Sequence, residues 1–182
     1  MEHTRGMRPH QDGGQGVVVV LGGTGMLRPT VEQLLREGEH VVVVARRASR
    51  AFADLPDGLT AVDADWSRPA EYGQRCRVAV AGREVCGVIL WVHQPHRDAV
   101  TMEIDPLLTD ATRVVRLWGS ASGDPRAKAM ASHEPRTGDL CDVYLGSSGG
   151  EWLTHEQISQ AAVTALRGSS RELVVGDLRA LS

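Results

Sequence analysis

A glycine-rich turn directly after a run of valines has the residue types that bind phosphate groups. The stretch Val17-Val-Val-Val-Leu-Gly-Gly-Thr-Gly-Met-Leu27 predicts a buried strand, a tight turn and the start of a helix. Gly22 permits the sharp turn, and Gly25 lets the backbone approach a diphosphate at the helix N-terminus. The alternative is a glycine turn that binds no nucleotide. We assign a dinucleotide cofactor to this turn, which comprises Gly22, Gly23, Thr24, Gly25, Met26 and Leu27.

Two arginines follow the second predicted strand, where they would face the ribose of such a cofactor. Arg46 and Arg47 stand where an NAD-binding protein would carry an acidic residue for the ribose 2′-hydroxyl. A positive pair suits a 2′-phosphate, so NADP is the favoured cofactor and NAD the alternative. The alternative is that both arginines lie in a solvated loop and bind no cofactor.

A histidine just past the fourth predicted strand could move a proton. Ligands of doubly wound sheets bind outside the carboxyl ends of the strands, which places His93 near the nicotinamide ribose. Its ordinary pKa lets it donate or accept a proton there. Trp91 and Val92 precede it and are assigned to cofactor binding. The structural alternative is a loop histidine bonded to backbone or to the cofactor.

A second histidine lies at the start of the last predicted helix. Thr154-His-Glu-Gln157 predicts a capping box, with Thr154 at the N-cap and Gln157 three residues later. This pattern accounts for Thr154 and Gln157 without any chemistry, but it leaves His155 unexplained.

The elements that must position these side chains alternate between strand and helix. A doubly wound parallel sheet of about six to seven strands with helices on both faces is therefore predicted. The first predicted strand begins at Val17. The six that follow cover 41–45, 59–65, 85–92, 112–118, 141–145 and 171–175. Predicted helices cover 28–37, 48–55, 68–80, 97–108 and 154–166. The polar stretch 123–140 is predicted to be a long loop, a lid or a mobile surface segment, with one helical turn near 126–131.

Composition narrows the class of partner. The 182 residues predict a disordered leader over 1–15 and one nucleotide-binding domain over 16–182. A net charge of −3 argues against nucleic acid and anionic membranes as partners. The sequence has no apolar run of membrane-spanning length and no visible signal peptide. The three cysteines form neither a disulfide framework nor a metal motif. We therefore expect a cytoplasmic protein, and we expect it to bind no metal ion.

These motifs together resemble the short-chain dehydrogenase/reductase superfamily. The glycine turn, Arg46-Arg47 and Asp65-Trp66 carry the likeness. More narrowly, Trp91-Val-His93 and the Trp-Leu-Thr-His-Glu segment at 152–156 are similar to motifs of small bacterial proteins of that superfamily. The likeness runs from about Val17 to Asp177. It implies a Rossmann-type fold, a nicotinamide cofactor and oxidoreductase activity.

The same resemblance assigns further site residues. Asp65 matches the superfamily position that contacts the adenine edge, with Trp66 beside it, although a turn residue before the next helix fits Asp65 nearly as well. Ser120, or alternatively Ser122, corresponds to the active-site serine at the end of strand five. In relatives the segment after strand six approaches the nicotinamide, so one arrangement open to the sequence is that His93 and His155 face each other across the site.

The departures from the superfamily pattern fall at its active site. The third glycine of the turn would be Arg28, and the sequence has no Tyr-x-x-x-Lys pair. Its tyrosines are Tyr72 and Tyr144, and its only lysine is Lys128.

Three functions remain open from the sequence. The first is an NADP-dependent reductase or dehydrogenase of a small metabolite, in which His93 or His155 replaces the missing tyrosine. The second is an NADP(H)-binding sensor that regulates a partner. The third is a non-redox step, a cyclisation or isomerisation, on the same scaffold. Apolar surface around the last helix also suggests a homodimer.

Overall fold

Seven parallel strands form one continuous sheet. The computed structural model describes residues 16–54 and 57–179, so the expected leader at 1–15 lies outside the described residues. The sheet strands are β1 (Val17–Leu21), β2 (His40–Ala45), β3 (Leu59–Asp63), β4 (Val85–Leu90), β5 (Arg113–Gly119), β6 (Asp139–Leu145) and β9 (Glu172–Val175). Their order across the sheet is β3-β2-β1-β4-β5-β6-β9. The predicted doubly wound sheet is confirmed.

Helices cover both faces of this sheet. They are α1 (Arg28–Arg36), α2 (Ala48–Ala51), α3 (Pro69–Val80), α4 (Arg97–Ile104), α5 (Pro125–Ala131) and α6 (His155–Arg167). Alternate valines of β1 belong to opposite layers of the core, as the period of two of a strand requires. Val18 and Val20 pack with residues of α1 and α6, whereas Val17 and Val19 pack with residues of α3 and α4.

Several element ends differ from the sequence prediction. The predicted helix 97–108 divides into α4 and a 3-10 turn at Asp105–Leu107, because Pro106 cannot continue the α-helical hydrogen bonding. The predicted loop 123–140 contains the two-turn helix α5, whose N-cap Asp124 accepts a bond from the Arg126 amide. The helix predicted over 48–55 is only the single turn α2 among the described residues.

The chain reverses its winding between β1 and β4. Successive strands run outward to β3, and the chain then returns to add β4, β5, β6 and β9 on the other side of β1. A crevice forms at such a switch point, outside the carboxyl ends of the strands. The glycine turn follows β1 and His93 follows β4, so the fold brings both to this edge.

A short hairpin and the last strand close the end of the molecule beside β6. Strands β7 (Ser147–Ser148) and β8 (Glu151–Trp152) pair antiparallel, which the sequence did not predict. The amide of Ser147 donates to the carbonyl of Asp177 at 2.9 Å, and the amide of Asp177 donates back at 2.7 Å. The segment after β9 is thereby fixed to the segment after β6.

The described surface has few large apolar side chains. The exposed ones are Val78, Met102, Met130, Trp152 and Val174, and α6 contributes none of them. The expected homodimer therefore stays a prediction. No helix within the described ranges combines the length and apolar character needed to cross a bilayer.

Candidate functional site

A cavity of about 580 Å³ lies at the carboxyl ends of β4, β5 and β6. Its walls come from the glycine turn, the segments that follow these three strands, and helices α4, α5 and α6. The volume is in the range of small-molecule sites. Five of the residues assigned from the sequence line it, namely Met26, Trp91, Val92, His93 and His155.

The glycine turn has the geometry of a phosphate cradle. Gly22 has a φ of +79°, and a Cβ there would lie 2.2 Å from the carbonyl oxygen of Trp91. Gly23 also has a positive φ, and a Cβ on it would contact Leu27 at 2.8 Å. The amides of residues 23–26 donate to no acceptor in the described part of the chain. These unpaired N–H groups, in the turn that leads into α1, fit a dinucleotide diphosphate.

Arg28, which replaces the third glycine of the superfamily pattern, does not fill the turn. Its guanidinium lies 5.3 Å from the centre of the Phe52 ring and bonds Glu32 at 3.0 Å and Asp54 at 3.1 Å. It also donates to the carbonyl of Ala51. The side chain thus connects α1 to α2, and the phosphate cradle stays open.

Arg46 and Arg47 form the exposed turn between β2 and α2. Neither guanidinium has a hydrogen bond or an ion pair within the described residues, so both are free to meet an anion. Asp65 accepts a bond from the amide of Ser67 at 2.9 Å, and this contact holds the pKa of Asp65 below its ordinary value. The turn role considered for Asp65 is therefore present in the structure.

His93 lies between two tryptophans at the cavity wall. Its ring centre is 5.8 Å from that of Trp66 and 5.0 Å from that of Trp91, edge-on to both. Partial loss of hydration, and then the charges of Arg97 and Lys128, lower the pKa of His93 below its ordinary value. The imidazole is accordingly neutral near pH 7, where it can accept a proton.

His155 adjoins the phosphate cradle. The capping box predicted at the start of α6 is present, with Thr154 and Gln157 bonded reciprocally. This cap places His155 in the first turn of α6, and its Cε1 would lie 4.0 Å from a Cβ on Gly25. Both histidines line one cavity, but His155 is the one beside the glycine turn.

The loop after β5 places Ser122, not Ser120, in the cavity wall. Lys128 on α5 also lines the cavity, and its Nζ donates to Ser122 Oγ and to the carbonyl of Gly119, both at 2.9 Å. Partial burial, and then the charge of Arg97, lower the pKa of Lys128. Sequence reasoning did not select Lys128 for the site. The signal available was that it is the only lysine and lies on the helix after strand five.

Neither tyrosine takes part in the cavity. Tyr72 is buried and donates to the carbonyl of Val44 at 2.7 Å, on the far layer of the core. Tyr144 donates to a carboxylate oxygen of Glu172 at 3.2 Å. As the sequence predicted, no tyrosine is placed to act as the proton donor in this cavity.

Arg97, at the first position of α4, was also missed from the sequence. It is buried, with Nε donating to the carbonyl of Val92 at 2.7 Å and Nη2 donating to that of Leu117 at 2.6 Å. Its guanidinium carbon lies 3.8 Å from the centre of the Trp118 ring. Burial, and then the charge of Arg116, lower the pKa of Arg97 to about 9, which leaves it positive at neutral pH.

The described residues contain no group of three or more His, Cys, Asp or Glu side chains arranged to hold a metal ion. The three cysteines are free thiols.

No model of a protein family matches the sequence significantly, and no curated protein does so either. Solved structures match its fold. A short-chain dehydrogenase/reductase from Serratia marcescens aligns with a TM-score of 0.59 at 15% identity, over 88% of this chain and 95% of that one. Serine dehydrogenase from Escherichia coli gives 0.63 at 13% identity, over 88% and 96%.

A third structure, a short-chain dehydrogenase/reductase (wide type) from Veillonella parvula, was solved in complex with NADP. It aligns with a TM-score of 0.60 at 14% identity, over 89% of this chain and 94% of that one. At these identities the likeness establishes the architecture. The chain has the fold of the short-chain dehydrogenases/reductases.

Proposed function

We propose that this protein is an NADP-dependent oxidoreductase of a small metabolite. The observation that supports the proposal is that the glycine turn and the cavity with His93 adjoin each other. The glycine turn, with its unpaired amides, runs through Met26 into the wall of a largely apolar cavity that also contains His93. A bound nicotinamide cofactor supplies hydride chemistry, so the protein must orient it and exchange one proton with the substrate, accepting it when the substrate is oxidised.

Different residues at the carboxyl ends of the strands bind different parts of such a cofactor. The amides of residues 23–26 bind the diphosphate, and His155 supports this end of the site because it adjoins Gly25. Arg46 and Arg47 bind the 2′-phosphate, which favours NADP over NAD. The NADP in the Veillonella parvula structure supports this choice.

His93 is the group assigned to proton transfer. Its lowered pKa leaves the imidazole neutral near pH 7, so that it can accept a proton, and the rings of Trp66 and Trp91 lie edge-on against it. Lys128 orients Ser122 through the 2.9 Å bond and places a hydroxyl in the same cavity. Ser122, the alternative to Ser120 in the sequence, therefore takes the role of the active-site serine.

The first test is thermal unfolding with NADP(H) and with NAD(H), each added separately. A ligand at 100 times its Kd stabilises the fold by about 2.7 kcal/mol, which raises the Tm by roughly 5–10 °C in a domain of this size. We expect the larger shift with NADP(H). The double variant Arg46→Gln/Arg47→Gln should lose this preference, whereas Arg50→Gln, on α2 outside the turn, should keep it. No shift with either dinucleotide would contradict the proposal.

The second test is hydride transfer with a substrate panel. We expect His93→Gln to lower the rate by about 100-fold or more, as for the loss of a general base. His96→Gln is the matched control, because His96 lies three residues further and outside the cavity wall. An unchanged rate in His93→Gln would remove His93 from the chemistry.

A further inference from the structure

The cavity has a one-sided charge distribution. Arg97 and Lys128 both line it, whereas none of its lining residues is an aspartate or a glutamate. Walls that include three tryptophan rings and several aliphatic side chains provide little else to compensate this charge. Such a cavity attracts an anion, because its cations have no negative side chain beside them in a largely apolar wall.

Arg97 has one uncompensated donor. Only 4% of the residue is exposed, and Nη1 has no hydrogen-bond partner within the described residues, while Nε and Nη2 bond backbone carbonyls. The guanidinium also takes part in no ion pair there. A buried cation without a carboxylate is costly to the fold. Stacking on Trp118 offsets part of this cost without neutralising the charge.

Carboxylates in the same region are already engaged. Asp142 binds Arg116 through both of its oxygens, at 2.7 and 2.9 Å. Asp98 follows Arg97 in the chain, but it accepts bonds from the hydroxyl of Ser132 and from the amide of His133. Both carboxylates attract Arg97 without bonding it, so its free donor is left for a ligand.

We propose that the substrate carries a carboxylate, which Arg97 and Lys128 hold in this cavity. The proposal rests on the oxidoreductase function above and names its substrate class. A carboxylate fits better than a phosphate group, because one free guanidinium nitrogen and one ammonium suit two oxygens. The diphosphate of the cofactor has its own donors in the amides of residues 23–26.

The test compares two probes of the same shape and different charge, cyclohexanecarboxylate and cyclohexanecarboxamide. Binding is followed by tryptophan fluorescence, since Trp91, Trp118 and Trp152 line the cavity, and by the shift in Tm. We expect the carboxylate to bind at least tenfold more tightly than the amide. Equal affinities would overturn the proposal.

The variant Lys128→Met should lower the affinity for the carboxylate about fivefold or more and leave that for the amide unchanged. Arg126→Met is the matched control, because Arg126 lies on the same helix but faces Tyr144 outside the cavity. Arg97→Met should abolish the preference for the carboxylate. If that variant does not fold, Lys128→Met alone decides, and an equal loss in Lys128→Met and Arg126→Met would overturn the proposal.

A titration with saturating NADP separates the two possible anions. If the cavity holds the carboxylate of a substrate, cyclohexanecarboxylate binds in the presence of NADP and both shifts in Tm appear together. Competition between the two would assign the cations to the cofactor diphosphate and overturn the proposal. A carboxylate preference without any NADP shift would leave the anion site standing and reject the cofactor, so the two proposals fail separately.

Discussion

Arg97 and Arg116 both lie against the ring of Trp118, with guanidinium carbons 3.8 and 5.1 Å from its centre, yet their electrostatic surroundings differ. Arg116 is bound by both oxygens of Asp142, which also accepts a bond from the Trp118 indole. Arg97 meets two backbone carbonyls and no carboxylate. The ion pair of Arg116 with Asp142 therefore has a structural role. The guanidinium of Arg97, which the fold leaves without a carboxylate, is available to bind a ligand.

The strongest test of this contrast is Asp142→Asn. Arg116 is almost fully buried, and the variant would leave its charge without a partner. We expect the free energy of unfolding to fall by about 3–5 kcal/mol, measured by urea denaturation. Glu71→Gln is the control, because the side chains of Glu71 and its partner Arg75 are both about half exposed, and the loss of this pair should cost about 1 kcal/mol or less. If both variants lost the same free energy of unfolding, burial of an ion pair would not determine the cost of breaking it.

The two arginines can be compared directly by replacing each with methionine. Arg116→Met strands the carboxylate of Asp142, whereas Arg97→Met removes a charge that has no counterion. We expect Arg97→Met to cost about 2 kcal/mol less than Arg116→Met, in the same denaturation experiment. A larger loss for Arg97→Met would mean that its two carbonyl bonds outweigh its missing partner.

Lys128 should matter little to stability. Its ammonium is only partly buried and bonds one carbonyl and one hydroxyl. We expect Lys128→Met to change the free energy of unfolding by about 1 kcal/mol or less. A loss as large as that of Asp142→Asn would place Lys128 in the structural network and not in the site.

The smallest expected effect is a titration of His93. Because its pKa is lowered, protonation occurs below the ordinary range near 6.5, and the nearby Trp66 and Trp91 should lose fluorescence as it proceeds. The unfolded chain takes up this proton first, so the stability contributed by His93 is present above pH of about 6.5 and is lost below it.

Removal of a nearby charge should move that titration. Lys128→Met is expected to shift the fluorescence midpoint to higher pH, and His93→Gln should abolish it. A midpoint that stays in place would show that the field of the cavity does not reach His93.

The sequence predicted those features that depend on local pattern. The strand after Gly16, the glycine turn and the capping box at Thr154 each arise from neighbouring residues, and all three are present. The parallel sheet also follows, because alternating strands and helices permit few topologies.

The parts of the site that were missed depend on contacts distant in sequence. Arg97 looks like an ordinary surface residue at a helix start, and arginine is abundant in this chain. Only the packing of α4 against β5 buries it on Trp118. The choice between Ser120 and Ser122 depends on how the chain leaves β5, where the bond from Lys128 to Ser122 is visible only in three dimensions.

The reciprocal bond pair between Ser147 and Asp177 has a consequence for local dynamics. Gly146, next to Ser147, lines the cavity, so the tie from the segment after β9 holds one wall of the site from outside. Both amides should exchange slowly with deuterium while the tie is closed. Their exchange rates therefore report how often this wall loosens, and a chain shortened before Asp177 would lose that restraint.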